Sequence, residues 1–173
     1  MKRYIYLVAA LGLLAVGGCL ISGQITFVED ININATTDSA VSREYVDLNM
    51  NADYLEHKND IASVDAIAIV AIIENNLPAS TSGEIWFTPD STSYANATDI
   101  RTNAIRIMAT PTIAGSSTMT ITWNDAFSFM ENEQAVIDEV LGDGKMTFYG
   151  IASTTPFDLD IQAQVVVTVT ITK

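Results

Sequence analysis

The chain reads as mainly β: an antiparallel two-layer sandwich of about eight strands with one short late helix. Three observations predict this. Ile161, Ala163, Val165, Val167, Val169 and Ile171 alternate with Gln162, Gln164, Val166, Thr168, Thr170 and Thr172, the period of two of a half-buried strand. The run 64–74 is apolar at both parities and rich in β-branched residues, as a strand covered on both faces would be. Elsewhere short β-prone segments are separated by turn chemistry: Thr88-Pro89-Asp90, Ala114-Gly115-Ser116-Ser117 and Gly142-Asp143-Gly144.

Taken in order, further strands are expected over 24–34, 44–52, 83–88, 104–109, 118–123 and 145–152. Asn75-Asn76-Leu77-Pro78 ends the doubly apolar run, because the residue before a proline leaves regular structure. The polar stretch 91–103 has no periodicity and reads as a loop. The late helix is announced by Ser128 and Glu131, a capping-box pair. Phe129, Met130, Val136, Ile137, Val140 and Leu141 then form an apolar stripe, and Gly142 stands where a left-handed cap belongs. Asp53-Tyr54-Leu55-Glu56 repeats the box pattern and marks a shorter helix.

Ahead of the strands, Lys2 and Arg3 precede an apolar run that ends in small residues, the layout of a secretory signal peptide. Val16-Gly17-Gly18-Cys19 resembles the lipobox of bacterial lipoproteins. That resemblance implies cleavage before Cys19 and a diacylglycerol on its thiol. Cys19 is the one cysteine in the chain, so acylation leaves no thiol for a disulfide, a metal or a nucleophile. The expected organisation is a signal peptide over 1–18, a lipid-anchor tether over 19–23 and a single sandwich domain over 24–173. The alternative for the leader is an uncleaved membrane helix over 4–21, whose 18 residues are at the short limit for spanning and include Gly12, Gly17 and Gly18. Either reading places the remainder outside the cytoplasm. Leu20 rather than Asp after the cysteine resembles the sorting signal of enterobacterial outer-membrane lipoproteins.

Composition narrows the partners. Removing Lys2 and Arg3 with the leader leaves 6 basic residues against 21 acidic ones, a net charge of −15. Such a surface repels nucleic acid and anionic headgroups. Charged residues are nevertheless only 17% and hydrophobic ones 49%, which excludes an acidic disordered tail.

Asp47, Asn49, Asn51 and Asp53 fall at every second position, as the first ligands of an EF-hand loop do. Ala52 and Lys58 stand where that loop needs its glycine and its bidentate glutamate, and Val46, Leu48, Met50 and Ala52 alternate between the polar residues. The stretch therefore reads as a strand with its polar side outward, and no metal site is assigned. A looser calcium site would pair Asp143 with Asp158 or Asp160.

Other chemistry finds little support. His57 is the one histidine, which excludes a histidine-rich zinc site within one chain, and its polar surroundings read as exposed. There is no G-x-S-x-G elbow and no glycine-rich phosphate loop. Asp158 and Asp160 share a strand face and are expected to face solvent. Trp86, Phe87, Trp123, Phe127, Phe129, Phe148, Tyr149 and Phe157 read as core, with a sugar-binding platform as the rival. Asn34-Ala35-Thr36 and Asn96-Ala97-Thr98 are glycosylation sequons, which chance supplies readily in so Asn- and Thr-rich a chain.

From Val64 onward the order of features resembles the late-embryogenesis-abundant, water-stress (WHy-type) β-sandwich. Ile69-Val70-Ala71-Ile72-Ile73-Glu74 runs into the Asn75-Asn76 turn; Met119 to Trp123, a short amphipathic helix and Met146 to Gly150 follow. The resemblance implies an immunoglobulin-like sandwich with a binding or protective role and brings no catalytic residues.

The expected function is thus a lipid-anchored cell-envelope protein, outer-membrane by its Leu20, whose sandwich is a non-catalytic structural or protein-interaction module. Its expected partners are the membrane, through Cys19, and an envelope protein; no cofactor, catalytic residue or nucleic acid is assigned. The alternatives are a binding protein for a small sugar or lipid and, further off, a carboxylate-based hydrolase.

Overall fold

The computed structural model describes residues 22–36, 41–152 and 156–172, with the backbone alone for 32–36. Cys19 and the rest of the leader lie outside the described residues. The strands are β1 (Ser22–Thr36), β2 (Ser42–Asp47), β3 (Ile61–Asn75), β4 (Gly83–Pro89), β5 (Ile105–Ala109), β6 (Ser117–Ile121), β7 (Lys145–Ala152) and β8 (Asp158–Thr172). They form two four-stranded sheets, one in the order β1-β8-β3-β6 and the other β2-β7-β4-β5, with antiparallel pairing throughout.

The eight-stranded antiparallel sandwich is the one the alternation predicts. Only β4 and β5 are neighbours both in sequence and in a sheet; every other connection crosses between sheets, and the first strand lies beside the last. That winding is a jelly roll. An immunoglobulin-type sandwich also stacks two antiparallel sheets but joins more of its strands as hairpins.

The C-terminal alternation accounts for β8. Leu159, Ala163, Val165, Val167 and Val169 are buried between the sheets, while Asp160, Gln162 and Gln164 point outward. Phe27, Ile67, Ile69, Phe87 and Phe148 complete the interior, with Phe87 and Phe148 rings 5.8 Å apart. β1 begins at Ser22, so residues 22–23 of the expected tether are already strand.

The helices differ from expectation in instructive ways. Four short ones are present among the described residues: α1 (Ala52–His57), α2 (Ala97–Asn103), α3 (Trp123–Phe129) and α4 (Glu133–Leu141). The stretch 46–54 is not a continuous strand. β2 stops at Asp47, whose carboxylate accepts the Asn49 N–H at 3.0 Å and so caps a 3-10 turn over Leu48–Met50. Asn51 then caps α1 by accepting from the Asp53 and Tyr54 N–H groups. The polar period of two is therefore a pair of successive caps. Leu48 is buried as alternation requires, but Met50 is 84% exposed because the chain has left the sheet.

The single late helix is two helices. The capping box belongs to Thr122 and Asp125 at the start of α3, and Ser128 lies inside that helix. Glu131 is held instead by a bidentate pair with Arg106, at 2.9 and 3.0 Å. Gly142 follows α4 with an ordinary negative φ. The left-handed glycine is Gly144 (φ 74°), whose N–H reaches the Glu139 carbonyl at 3.0 Å. A side chain at Gly144 would meet the Tyr54 ring, with the hydroxyl oxygen at 2.7 Å.

The stretch 91–103 is not all loop. Asn96 accepts the Asp99 N–H at 2.9 Å and starts α2, whose Ile100 packs with Tyr149 and Ile151 in a second, smaller core on the outer face of the β4–β7 sheet. The sequon asparagine Asn96 is thus engaged in a cap. The Asn34 side chain lies outside the described residues.

Candidate functional site

Three places in the described molecule bear on the predicted sites. The first is an apolar slot between the sheets at the end that carries the β3–β4 and β5–β6 turns. Ile73, Ile85, Ile113, Leu159 and Ile161 line it, with Gly83 and Gly150 among the small residues that leave the space. It encloses about 50 Å³. Pockets for small-molecule ligands hold hundreds of cubic ångströms, so the slot has room for a few apolar atoms and no more. It is a gap in core packing.

The second is the opposite end, where the 3-10 turn, α1 and the α4–β7 turn meet. Leu48 N–H donates to the Gly144 carbonyl at 2.8 Å, and Asn49 Nδ2 donates to the Asp143 carbonyl at 2.8 Å. Lys58 Nζ donates to Asn49 Oδ1 at 2.8 Å. Asp47, Asn49, Lys58, Asp143 and Lys145 line an open cleft. The Asn49 side-chain amide holds the Asp47 carboxyl below the usual range, with Lys145 and Lys58 adding attraction. Glu139 goes the other way. Partial burial disfavours its charge, a hydrogen bond with Asp143 favours its protonated form, and Asp143, Asp90 and Asp138 add negative charge, which together push it up to about 7.

That shift sets a pH dependence. The unfolded carboxyl ionises near 4.5, the folded one near 7. Between these values the folded chain keeps a proton that the unfolded chain has released, so stability falls as pH rises through the window. The carboxyl is largely solvated, so screening reduces the effect to about 1 kcal/mol. Glu139→Gln is expected to be more stable than the parent by about that amount at pH 8 and equal to it at pH 4. Urea unfolding at the two pH values checks this; an identical difference at both would remove the protonated Glu139 from the account.

The third is the aromatic set. Phe87, Phe148, Tyr149 and Phe157 are buried. Trp86 packs on the smaller core with its indole N–H on Glu84 at 3.0 Å, and Arg101 donates to the same carboxylate at 3.0 Å. Trp123 packs on the main core, edge-on to the half-exposed Phe127. The two tryptophans belong to different cores and make no common platform for a sugar.

The other predicted residues fall as follows. Asp143 sits at the cleft end, whereas Asp158 and Asp160 open β8 at the slot end, so the calcium pairing of these residues is not formed. Asn76 Nδ2 instead bridges the Asp158 and Asp160 carboxylates at 3.4 and 3.3 Å. His57 is not exposed: its side chain keeps 17% exposure in the last turn of α1, and Nδ1 is buried with no hydrogen-bond partner. Among the described residues no group of three or more His, Cys, Asp or Glu side chains is arranged to hold a metal ion. Sequence reasoning missed the Glu139–Asp143–Asp90 grouping. The first two residues lie four apart around the end of α4, which was a usable signal; Asp90 arrives from another turn.

The strands and their order define the class: an eight-stranded antiparallel jelly-roll sandwich. No family model matches the chain, and no curated protein matches it. Solved structures that resemble it include one from turnip yellow mosaic virus, 10% identical over 91% of this chain and 84% of the other, with a TM-score of 0.47. Another is from Desmodium yellow mottle tymovirus, 12% identical over 88% and 83%, with a TM-score of 0.41. A third is mud crab tombus-like virus, 8% identical over 95% and 98%, with a TM-score of 0.39. Likeness this slight says nothing about what this chain does.

Proposed function

We propose that the chain is a lipid-anchored cell-envelope protein whose sandwich serves as a non-catalytic structural or protein-interaction module. One observation carries the reading: a signal-peptide layout ends at Cys19, the sole cysteine, and folded strand begins three residues later at Ser22. Three extended residues span roughly 10 Å. A lipid on Cys19 would therefore hold the cleft end of the sandwich, where β1 starts, close to the membrane surface. The sorting signal at Leu20 favours the outer membrane.

The alternative of a small-ligand binder draws on the slot between the sheets, whose apolar lining suits lipid better than sugar. Its 50 Å³ argues against a whole lipid, so the module reading is preferred. A carboxylate hydrolase has the Glu139–Asp143 pair to draw on, yet those carboxyls are hydrogen-bonded to each other around the end of one helix and leave no room for a substrate between them.

The test is the mature N-terminus. Mass spectrometry of the protein from native membranes is expected to find an acylated Cys19 and no peptide from residues 1–18. Cys19→Ser is expected to shift the protein from the membrane to the soluble fraction. An intact Met1 peptide on unacylated protein would overturn the anchor.

A further inference from the structure

We infer that Met50, Leu55 and Leu141 form a lipid-contact surface that seats the cleft end of the sandwich on a bilayer of zwitterionic headgroups. The inference rests on the lipid-anchor reading and deepens it: the anchor holds the domain near a membrane, and this surface is the part of the domain that touches it.

The fold brings the three side chains to one end. Met50 is 84% exposed, Leu55 52% and Leu141 48%. Single exposed hydrophobics are ordinary on a protein surface, so it is their common position that counts. Leu141 ends α4 and lines the cleft with Asn49 and Lys58. Met50 follows Asn49 in the chain, and Leu55 lies one helical turn before Lys58. Lys58 Nζ donates to Asn49 Oδ1 at 2.8 Å, which ties these two segments together. The exposure of Met50 is built in. Asp47 and Asn51 cap the turns on either side of it, so the backbone is fixed with this side chain in solvent.

The point where the leader joins the fold selects lipid as the occupant. β1 starts at Ser22, which pairs with Thr172. The Thr172 N–H donates to the Asp60 carbonyl at 2.9 Å, just beyond α1. The chain before Ser22 therefore enters the sandwich beside the helix that carries Leu55. On the lipoprotein reading the acylated Cys19 is three residues from Ser22, a span of roughly 10 Å. A bilayer held that close meets these side chains at an effective concentration that no free partner reaches. Three aliphatic side chains are too few to keep a protein on a membrane unaided. Beside an anchor they need only orient it.

Charge selects the headgroup. Asp47, Asp53, Glu56, Asp60, Asp138 and Asp143 lie at this end, against Lys58 and Lys145. The excess of carboxylates repels an anionic lipid surface and leaves a zwitterionic one unopposed. The contact is shallow. An interfacial segment sinks its apolar side chains only about 5–10 Å, to the boundary of headgroups and acyl chains, which leaves neighbouring carboxylates hydrated.

Thiol protection on vesicles tests this. The acylated chain is inserted into preformed phosphatidylcholine vesicles, and flotation shows whether it is anchored. Met50→Cys is expected to react with a charged, membrane-impermeant maleimide at least tenfold more slowly than Thr98→Cys, an exposed site on α2 over the other sheet. Leu55→Gln with Leu141→Gln, in the Met50→Cys background, is expected to bring the rate back to that of Thr98→Cys while the chain still floats. Both changes fall on exposed side chains, and an unchanged urea midpoint checks that the fold is kept. Adding anionic phosphatidylglycerol is expected to weaken the protection. A chain that does not float would remove the anchor and this inference together. With the chain afloat, four results would each overturn the inference alone: equal rates at the two sites, protection that survives the two glutamines, protection that grows with anionic lipid, or protection that disappears when each vesicle carries few chains, the mark of a second copy as the cover.

Discussion

Gly115→Ala is expected to remove about 3 kcal/mol of stability, near the top of the range for a single substitution. A Cβ on residue 115 would stand 1.9 Å from the Pro78 carbonyl oxygen and 2.2 Å from its carbon. Both are backbone atoms, so no side-chain rotation relieves the overlap. One of two turns must move, and each is tied down. The Ser116 N–H donates to the Leu77 carbonyl at 2.8 Å, and Thr81 and Ile113 exchange hydrogen bonds at 3.0 and 2.7 Å. The glycine is needed for space, since the left-handed residue of this turn is Ser116 (φ 50°). In a chain of this size the loss corresponds to a fall of about 6–12 °C in Tm. Gly23→Ala is the control: the nearest atom to its Cβ is an Ile171 methylene at 4.0 Å, and a change within about 0.5 kcal/mol is expected. Thermal unfolding checks both. Equal Tm values for Gly115→Ala and the parent would show that the two turns do not approach each other.

Elements whose pattern is enforced by burial on one face were legible in advance. β8 is the example: from Ile161 to Thr172 its alternation is broken only at the outward Val166, because its inner side chains fill the core and the other outer ones are polar. The misreadings lie where two local signals compete and a distant contact decides. Thr122 with Asp125 and Ser128 with Glu131 have the same capping spacing. The first pair starts a helix, while Arg106, from β5, draws Glu131 into an ion pair. Asp47 to Asn51 have a strand's period but serve as caps, because the chain turns at Leu48 to bond Gly144. α2 carried a short signal in Asn96 and Asp99, but the face it covers is built by Tyr149 and Ile151 from β7. The acidic grouping at the cleft end was legible only in part, since Asp90 and Glu139 are brought together by the fold.

The Asn75 turn was read from sequence as the end of a strand, and the structure gives that side chain a larger task. Asn75 is 1% exposed. Its Oδ1 accepts the Leu77 N–H at 3.1 Å, and its Nδ2 donates to the Ala79 carbonyl at 2.8 Å and the Ala114 carbonyl at 3.1 Å. One amide thus holds the β3–β4 turn in shape and fastens it to the β5–β6 turn. Asn75→Ala takes this partner from the Leu77 N–H and the Ala79 carbonyl and leaves the Ala114 carbonyl with the Ser117 hydroxyl alone, and a loss of about 2 kcal/mol is expected. Asn75→Asp keeps the acceptor but turns a carboxylate toward two carbonyl oxygens, so it is expected to do no better than alanine. The decisive measurement is the double variant with Gly115→Ala. Both changes break the same clasp between the two turns, so their combined loss in urea unfolding is expected to fall short of the sum by about 1 kcal/mol or more. Strict additivity would mean that Asn75 stabilises its own turn alone and that the fastening to Ala114 contributes nothing.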